Sequence, residues 1–243
     1  MKRFWTDVTY AKTDQEGASG HVILLDGKPV RISGGVPLSI PSGPLAEAVA
    51  EEWQLAGSRN NGEIGADETP LTRLAGTAQA RIASDPAATI DALARYAESE
   101  LLCYRAADPE ALVHRQASGW QPWLDWAALT YDAPLKVTTG ITHIEQSHHS
   151  LTGLRAAVAA FDPWELAGLG VLVPTLGSLV LGLAVAEGRL DAWQAHELGA
   201  LDELFQAELW GDDAGAARRR KAVAAEIAVA ARCIALARAR PTP

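Results

Sequence analysis

Four consecutive residues, Ser147-His148-His149-Ser150, carry side chains that could support nucleophilic chemistry. A hydroxyl beside an imidazole can act as a nucleophile with its general base. Neighbouring residues on a helix point about 100° apart, so His148 and His149 could not easily share one metal ion. A hydrolase that uses these histidines together with helical carboxylates is therefore one candidate function.

Other catalytic patterns are missing from the sequence. It contains no G-x-x-x-x-G-K-[ST] phosphate loop, no H-E-x-x-H metal motif and no G-x-S-x-G turn. Acids that are adjacent on a helix do not face each other, so Asp202 and Glu203 do not form an acid/base pair. We therefore predict no catalytic residues, no cofactor and no metal site, and a protein that is not an enzyme.

Residues 190–213 carry a pattern suited to recognition rather than catalysis. They are predicted to form one long amphipathic helix. Its buried face is expected to contain the apolar residues at three- and four-residue spacing, which are Leu198, Leu201, Phe205 and Leu209. Glu203, Gln206 and Trp210 recur at i, i+3 and i+7 on a second stripe. This stripe is either a surface for contact with another protein or a solvated flank whose tryptophan packs on a neighbouring element.

The elements that position these residues change along the chain. Residues 1–40 are strand-like, and Asp26-Gly27 between two β-rich runs predicts a hairpin with a type I′ turn. Ser42 is a plausible N-cap for a first helix. The fold class is therefore α+β. We expect a small N-terminal antiparallel β-rich domain with one or two helices over residues 1–84, and a larger all-helical C-terminal domain over residues 85–243.

Three features of the helical part could be misread. Residues 166–186 are uncharged and about as long as a membrane span, but Pro174 and four glycines interrupt them, so we predict a buried helical segment instead. The basic run at residues 218–221 is interpreted as a solvated face. Cys103 and Cys233 lie in apolar contexts and are expected to be buried, reduced thiols.

The net charge of the chain favours some classes of binding partner over others. The 243 residues carry a formal net charge of −9, which is unfavourable for binding a nucleic-acid backbone and favourable for binding basic protein surfaces. No signal or transit segment precedes the first strand-like residues. We therefore expect a complete, monomeric protein in a bacterial cytoplasm, without membrane insertion or nucleic-acid binding.

Sequence blocks spread over nearly the whole chain resemble the Atp12 family in identity and order. The blocks are FWTDV, DGKPVRI, PLSIP, LAEAVAEEW, PLTRLAGTA, YAESELLCYRA, QPWLDWA, GSLVLGLA and ELFQAELWGDD. Two positions depart from the family pattern. Gly76 stands where the family usually has asparagine, and Gln121 stands where an acid is common.

The resemblance implies a molecular chaperone for assembly of the F1 sector of ATP synthase. Members bind the unassembled F1 α subunit, so this chain is expected to shield the apolar surface of α that β later covers. The family's functional glutamate, in the pattern E-x-x-Q-x-x-x-W-G, falls on Glu203, with Gln206, Trp210 and Gly211 completing it. Asp202 is added as a neighbouring partner-binding residue. A generic holdase without a preferred client is a further alternative.

Overall fold

The computed structural model describes residues 2–15, 18–32, 34–58, 61–65 and 67–239. The chain forms two compact units. Unit 1 contains the residues up to 86 together with 163–168 and those from 232 onward, and unit 2 contains 87–162 and 169–231. The domain boundary after residue 84 stays a prediction.

Unit 1 contains an antiparallel sheet centred on its second strand. Strand β1 (Val8–Gln15) pairs with β2 (Ala18–Leu25) along the full length of both strands, and the short strands β3 (Lys28–Pro29) and β4 (Ser39–Ile40) also pair with β2. Between β2 and β3, Asp26 and Gly27 have φ angles of 46° and 77°. Positive φ at both central positions is the type I′ geometry, so the predicted hairpin is confirmed.

Helix α1 (Gly43–Leu55) contributes the main helical part of the unit 1 core. The Ser42 hydroxyl accepts a hydrogen bond from the Leu45 backbone N–H, as predicted for its N-cap. Trp53 packs edge-to-face against Trp5 with ring centroids 5.1 Å apart. Helix α2 (Pro70–Thr77) follows and continues as a π-helical turn over Ala78–Ile82.

Unit 2 is mostly helical, with a two-stranded parallel pair. Short 3₁₀ segments at Arg95–Ser99 and Leu101–Cys103 precede strand β5 (Tyr104–Arg105), which pairs with β6 (Thr138–Thr139). The remaining helices of the chain, of which α3, α6 and α10 have residues in both units, are α3 (Pro86–Ala94), α4 (Glu110–Tyr131), α5 (His148–Ala159), α6 (Pro163–Leu176), α7 (Leu179–Ala186), α8 (Ala192–Gly199), α9 (Leu201–Trp210) and α10 (Ala214–Arg238). The predicted α+β class is confirmed.

The uncharged stretch 166–186 is divided between α6 and α7. Gly177, at φ 65°, and Ser178 separate the two helices, and every residue of α7 is buried. The Glu100 carboxylate meets the start of α7, where its Oε2 accepts hydrogen bonds from the backbone N–H groups of Leu179 and Val180. Within the described residues, no helix combines the length and apolarity that a membrane span would need.

The single long helix predicted over residues 190–213 is wrong. Two helices, α8 and α9, meet at Ala200, whose φ of −99° and ψ of 13° depart from helical values. A Cβ placed on Gly199 would lie 3.3 Å from the backbone oxygen of Leu176. This close approach leaves little room for a side chain at the end of α8, and sequence periodicity does not report such a tertiary contact.

A matched pair of glycines tests how tightly unit 2 is packed. A Cβ on Gly153 in α5 would lie 2.6 Å from the Tyr131 carbonyl oxygen, whereas a Cβ on Gly170 in α6 would meet no atom within 4 Å. We expect Gly153→Ala to lower the free energy of unfolding by about 1–3 kcal/mol. Gly170→Ala should raise it by about 0.5–1 kcal/mol, since alanine favours the helix. Denaturant unfolding checks both, and a Gly153→Ala midpoint equal to wild type would contradict the packing.

Candidate protein-interaction surface

Glu203, Gln206 and Trp210 form the α9 stripe, and all three residues are exposed. Trp210 is 78 % exposed. Helix α9 ends directly after it, at Gly211, which has a φ of 89° and a ψ of 157°. This combination of a positive φ with an extended ψ is readily adopted only by glycine. The sequence therefore places an indole in solvent at the last turn of a helix, immediately before a glycine turn.

Asp202 lies on a different side of α9. Its carboxylate accepts a 2.7 Å hydrogen bond from the side-chain amide of Gln116, which is buried in α4. The amide oxygen of Gln116 in turn accepts from the backbone N–H of Ala106, also at 2.7 Å. Asp202 thus fastens α9 to α4 and is only half-exposed, and the structure does not bring it onto the α9 stripe.

Glu203 is paired with arginines of α10. Its Oε1 lies 2.8 Å from Nη1 of Arg220 and 3.6 Å from Nη2 of Arg219. Nη2 of Arg220 also donates to Asp212, and these two carboxylates raise the pKa of the Arg220 guanidinium. Arg220 is only 11 % exposed, so the interpretation of the basic run 218–221 as a solvated face is wrong at this position.

The buried face of α9 ends earlier than predicted. Leu201 and Phe205 are buried, but Leu209 is 58 % exposed, so its expected place on the buried face is wrong. The Arg115 guanidinium lies over the Phe205 ring, 5.2 Å from its centroid, and forms two 2.8 Å hydrogen bonds with Glu208. The Arg115 guanidinium thus covers Phe205. Leu209 is not covered in this way, so the exposed end of α9 carries two large apolar side chains, Leu209 and Trp210.

A groove of about 540 Å³ lies between α4, α8 and α9. Its apolar lining comes from Trp123, Leu190, Leu198, Leu201 and Leu204. The lining residues of α9 are Leu201, Leu204 and Glu208, which by helical spacing face away from the α9 stripe. Sequence analysis missed this groove and the Arg115–Glu208 pair, because α4 and α9 are about 90 residues apart and no local pattern joins them.

His196 lies in the lining of a smaller cavity of about 180 Å³, near Glu203 and Arg220. It is 6 % exposed, and among the described residues neither ring nitrogen has a hydrogen-bond partner. Burial is the main cause that lowers its pKa. The neutral imidazole is therefore the form that the folded protein favours.

The histidines proposed for hydrolytic chemistry have other partners. His149 Nε2 lies 2.9 Å from an Asp132 carboxylate oxygen, and both side chains are exposed. The Ser147 hydroxyl caps α5 by accepting from the backbone N–H of Ser150. The Ser150 hydroxyl donates to the Pro134 carbonyl. These contacts do not pair a serine hydroxyl with a histidine base.

Two further kinds of reactive group within the described ranges are the side chains that could bind a metal ion and the two cysteine thiols. Among residues 2–239 as far as the structure describes them, no three His, Cys, Asp or Glu side chains are grouped to hold a metal ion. Cys103 and Cys233 are buried thiols, as predicted. Burial raises the pKa of the Cys103 thiol to about 12, which disfavours the reactive thiolate.

Comparison with known proteins gives the class of this molecule. The ATP12 chaperone protein family matches residues 2–128. The crystal structure of Atp12 from Paracoccus denitrificans is similar at 42 % sequence identity and a TM-score of 0.89, with 98 % of each chain covered. A single-residue variant of that protein matches equally. The Atu1473 protein of Agrobacterium tumefaciens is similar at 38 % identity and a TM-score of 0.86, covering 96 % of this chain and 84 % of the other.

The family match, together with structural likenesses over almost the full length, defines an assembly chaperone. The chain belongs to the ATP12 chaperone family. The resemblance found in the sequence blocks is thereby confirmed.

Proposed function

We propose that this protein binds the unassembled α subunit of the F1 sector of ATP synthase and shields its β-facing surface until α is transferred to β. The chaperone acts as a monomer in the cytoplasm. The α9 stripe carries the contact, with Asp202 supporting it from the α4 side. No bond is made or broken in this cycle, so the protein acts through binding alone.

The observation that carries this proposal is the exposure of Trp210. A tryptophan that is 78 % exposed gains much apolar burial when a partner covers it, and tryptophan is among the residues that dominate protein interfaces. Leu209, 58 % exposed, extends the apolar area at the same helix end. Together they suit a client that still exposes apolar surface before assembly.

Charge supports the same partner class. The net charge of −9 draws the chaperone towards basic protein surfaces. Glu203 keeps 45 % of its side chain exposed while it pairs with Arg220, so one flank of the carboxylate remains open to a basic or amide group of the client. Affinity must be moderate, because β has to displace the chaperone from α.

Capture of purified α by wild type and by Glu203→Lys tests the proposal. We expect wild type to retain α and Glu203→Lys to lose at least tenfold in affinity, because the variant places a cation beside Arg219 and Arg220. Glu226→Lys on the exposed part of α10 makes the same charge change and should bind like wild type. Equal capture by all three proteins would remove Glu203 from the contact surface.

An aggregation assay with purified α and with unrelated unfolded proteins separates a dedicated chaperone from a generic holdase. A dedicated chaperone suppresses aggregation of α and leaves aggregation of unrelated unfolded proteins unchanged. Equal suppression of both would contradict the proposed specificity.

A further inference from the structure

Arg220 joins the two ends of the segment that bears the exposed stripe. One guanidinium nitrogen donates to Glu203 in the first turn of α9, and the other donates to Asp212, just after that helix ends. Residues 204–211, including Leu209 and Trp210, lie between these two anchors. A single side chain of α10 therefore holds both sides of the proposed contact segment.

The environment of Arg220 differs sharply from that of its neighbour. Arg220 is 11 % exposed and has two carboxylate partners, whereas Arg219 is 69 % exposed and lies 3.6 Å from Glu203. Guanidinium groups bind two acceptors in a fixed planar geometry, so a largely buried arginine between two acids restricts both of them. Arg219 has neither the burial nor the second partner.

The turn after α9 makes such a restraint useful. Gly211, at a φ of 89°, connects Trp210 to Asp212, and glycine leaves the backbone more conformational freedom than any other residue. Without Arg220, Asp212 would lose this ion pair, and Glu203 would keep only the more distant and exposed Arg219, at 3.6 Å. The last turn of α9 would then lose its fixed position, and binding would have to order it again.

We propose that Arg220 is a positioning residue for client capture. It clamps Glu203 and Asp212 so that Trp210 is presented in one orientation. Although one flank of Glu203 is open to the client, the contribution of Glu203 to client binding runs mainly through this clamp. The inference rests on the proposed function, because it assigns a role within the same contact surface.

A matched pair of arginine substitutions gives the first test. We expect Arg220→Gln to weaken capture of α at least tenfold and to speed amide hydrogen exchange over residues 207–216 at least tenfold. Arg219→Gln should stay within twofold of wild type in both measurements. Arg220→Lys keeps the charge but loses the fork geometry and should fall between wild type and Arg220→Gln. If Arg220→Gln leaves either capture of α or amide exchange unchanged, the clamp is overturned.

A double-mutant cycle distinguishes the clamp from direct contact by Glu203. If Glu203 acts through Arg220, the Glu203→Gln/Arg220→Gln double variant should bind α no more than threefold more weakly than Arg220→Gln alone. If Glu203 touches the client independently, the two losses multiply, and that result would overturn the proposed route. The double variant removes both members of the Glu203–Arg220 pair, so the one carboxylate that loses its arginine is Asp212, as it also does in Arg220→Gln alone.

Exchange measured without any client keeps the two proposals separable. Faster exchange over 207–216 in Arg220→Gln, together with no capture of α by wild type, would defeat the proposed function while preserving the clamp. Capture of α by wild type, together with unchanged exchange in Arg220→Gln, would preserve the proposed function and overturn the clamp.

Discussion

Replacing Trp210 with alanine is expected to weaken capture of the F1 α subunit by about 30-fold or more. Truncating a tryptophan at the centre of an interface commonly costs 2 kcal/mol or more of binding free energy. The side chain is 78 % exposed in the free protein, so the free energy of unfolding should change by less than about 0.5 kcal/mol. Titration of α onto immobilised chaperone measures the first effect, and denaturant unfolding measures the second.

Leu129→Ala is the control for this prediction. Leu129, on α4, is 88 % exposed and outside the α9 stripe, so its truncation removes exposed apolar surface without touching the proposed contact. It should bind α like wild type. If Trp210→Ala also binds like wild type, the end of α9 is not the contact surface, and the exposed indole needs another explanation.

Replacing Glu100 with alanine should give the largest loss of stability. The fully buried carboxylate accepts hydrogen bonds from the backbone N–H groups of Leu102, Leu179 and Val180, and it also bonds the Ser178 side chain. Alanine leaves these donors buried without an acceptor, at a cost of about 1–3 kcal/mol for each one that water cannot reach. We expect a total loss of about 4 kcal/mol, which thermal unfolding would record as a fall of about 10 °C in Tm.

The ionisation of Glu100 should also make stability depend on pH. Burial raises its pKa from 4.5 to about 7, although the hydrogen bonds it accepts oppose the shift. Between these values the unfolded chain has released the proton that the folded chain still binds, so stability falls as pH rises. This contribution is fully present below pH 4.5 and is lost above pH 7, a change on the order of 3 kcal/mol.

Glu100→Gln removes this ionisation and provides the comparison. The difference in unfolding free energy between wild type and Glu100→Gln should shrink by about 3 kcal/mol between pH 4.5 and pH 8. The exposed neighbour Glu98, changed to Gln, controls for the loss of one acid and should follow the wild-type pH profile. Parallel profiles for wild type and Glu100→Gln would show that Glu100 does not titrate in this range.

Local features of the fold were predictable because their causes are local. The Asp26-Gly27 turn needs only two residues that tolerate positive φ, and the Ser42 cap needs only a hydroxyl before a helical pattern. The break between α8 and α9 was not predictable from spacing, because tertiary contacts such as the close approach of Gly199 to the Leu176 backbone are absent from a local pattern. Periodicity continues through that point, so it favoured one long helix.

In the candidate site, too, the features with local causes were predictable and those that depend on tertiary contacts were not. Helical spacing correctly groups Glu203, Gln206 and Trp210 along one side of a helix, and all three are exposed, but their role in client binding stays a prediction. The partners of the two acids could not be read from spacing. Gln116, which binds Asp202, is 86 residues away, and Arg220 reaches Glu203 only because α10 lies beside α9.

Co-purification of the tagged chaperone with a mixture of the F1 subunits tests the central claim most directly. The account predicts that α is the subunit retained, and that adding purified β releases it as the α–β contact forms. Retention of a different subunit, or of none, would contradict the account, as would an α complex that β cannot displace.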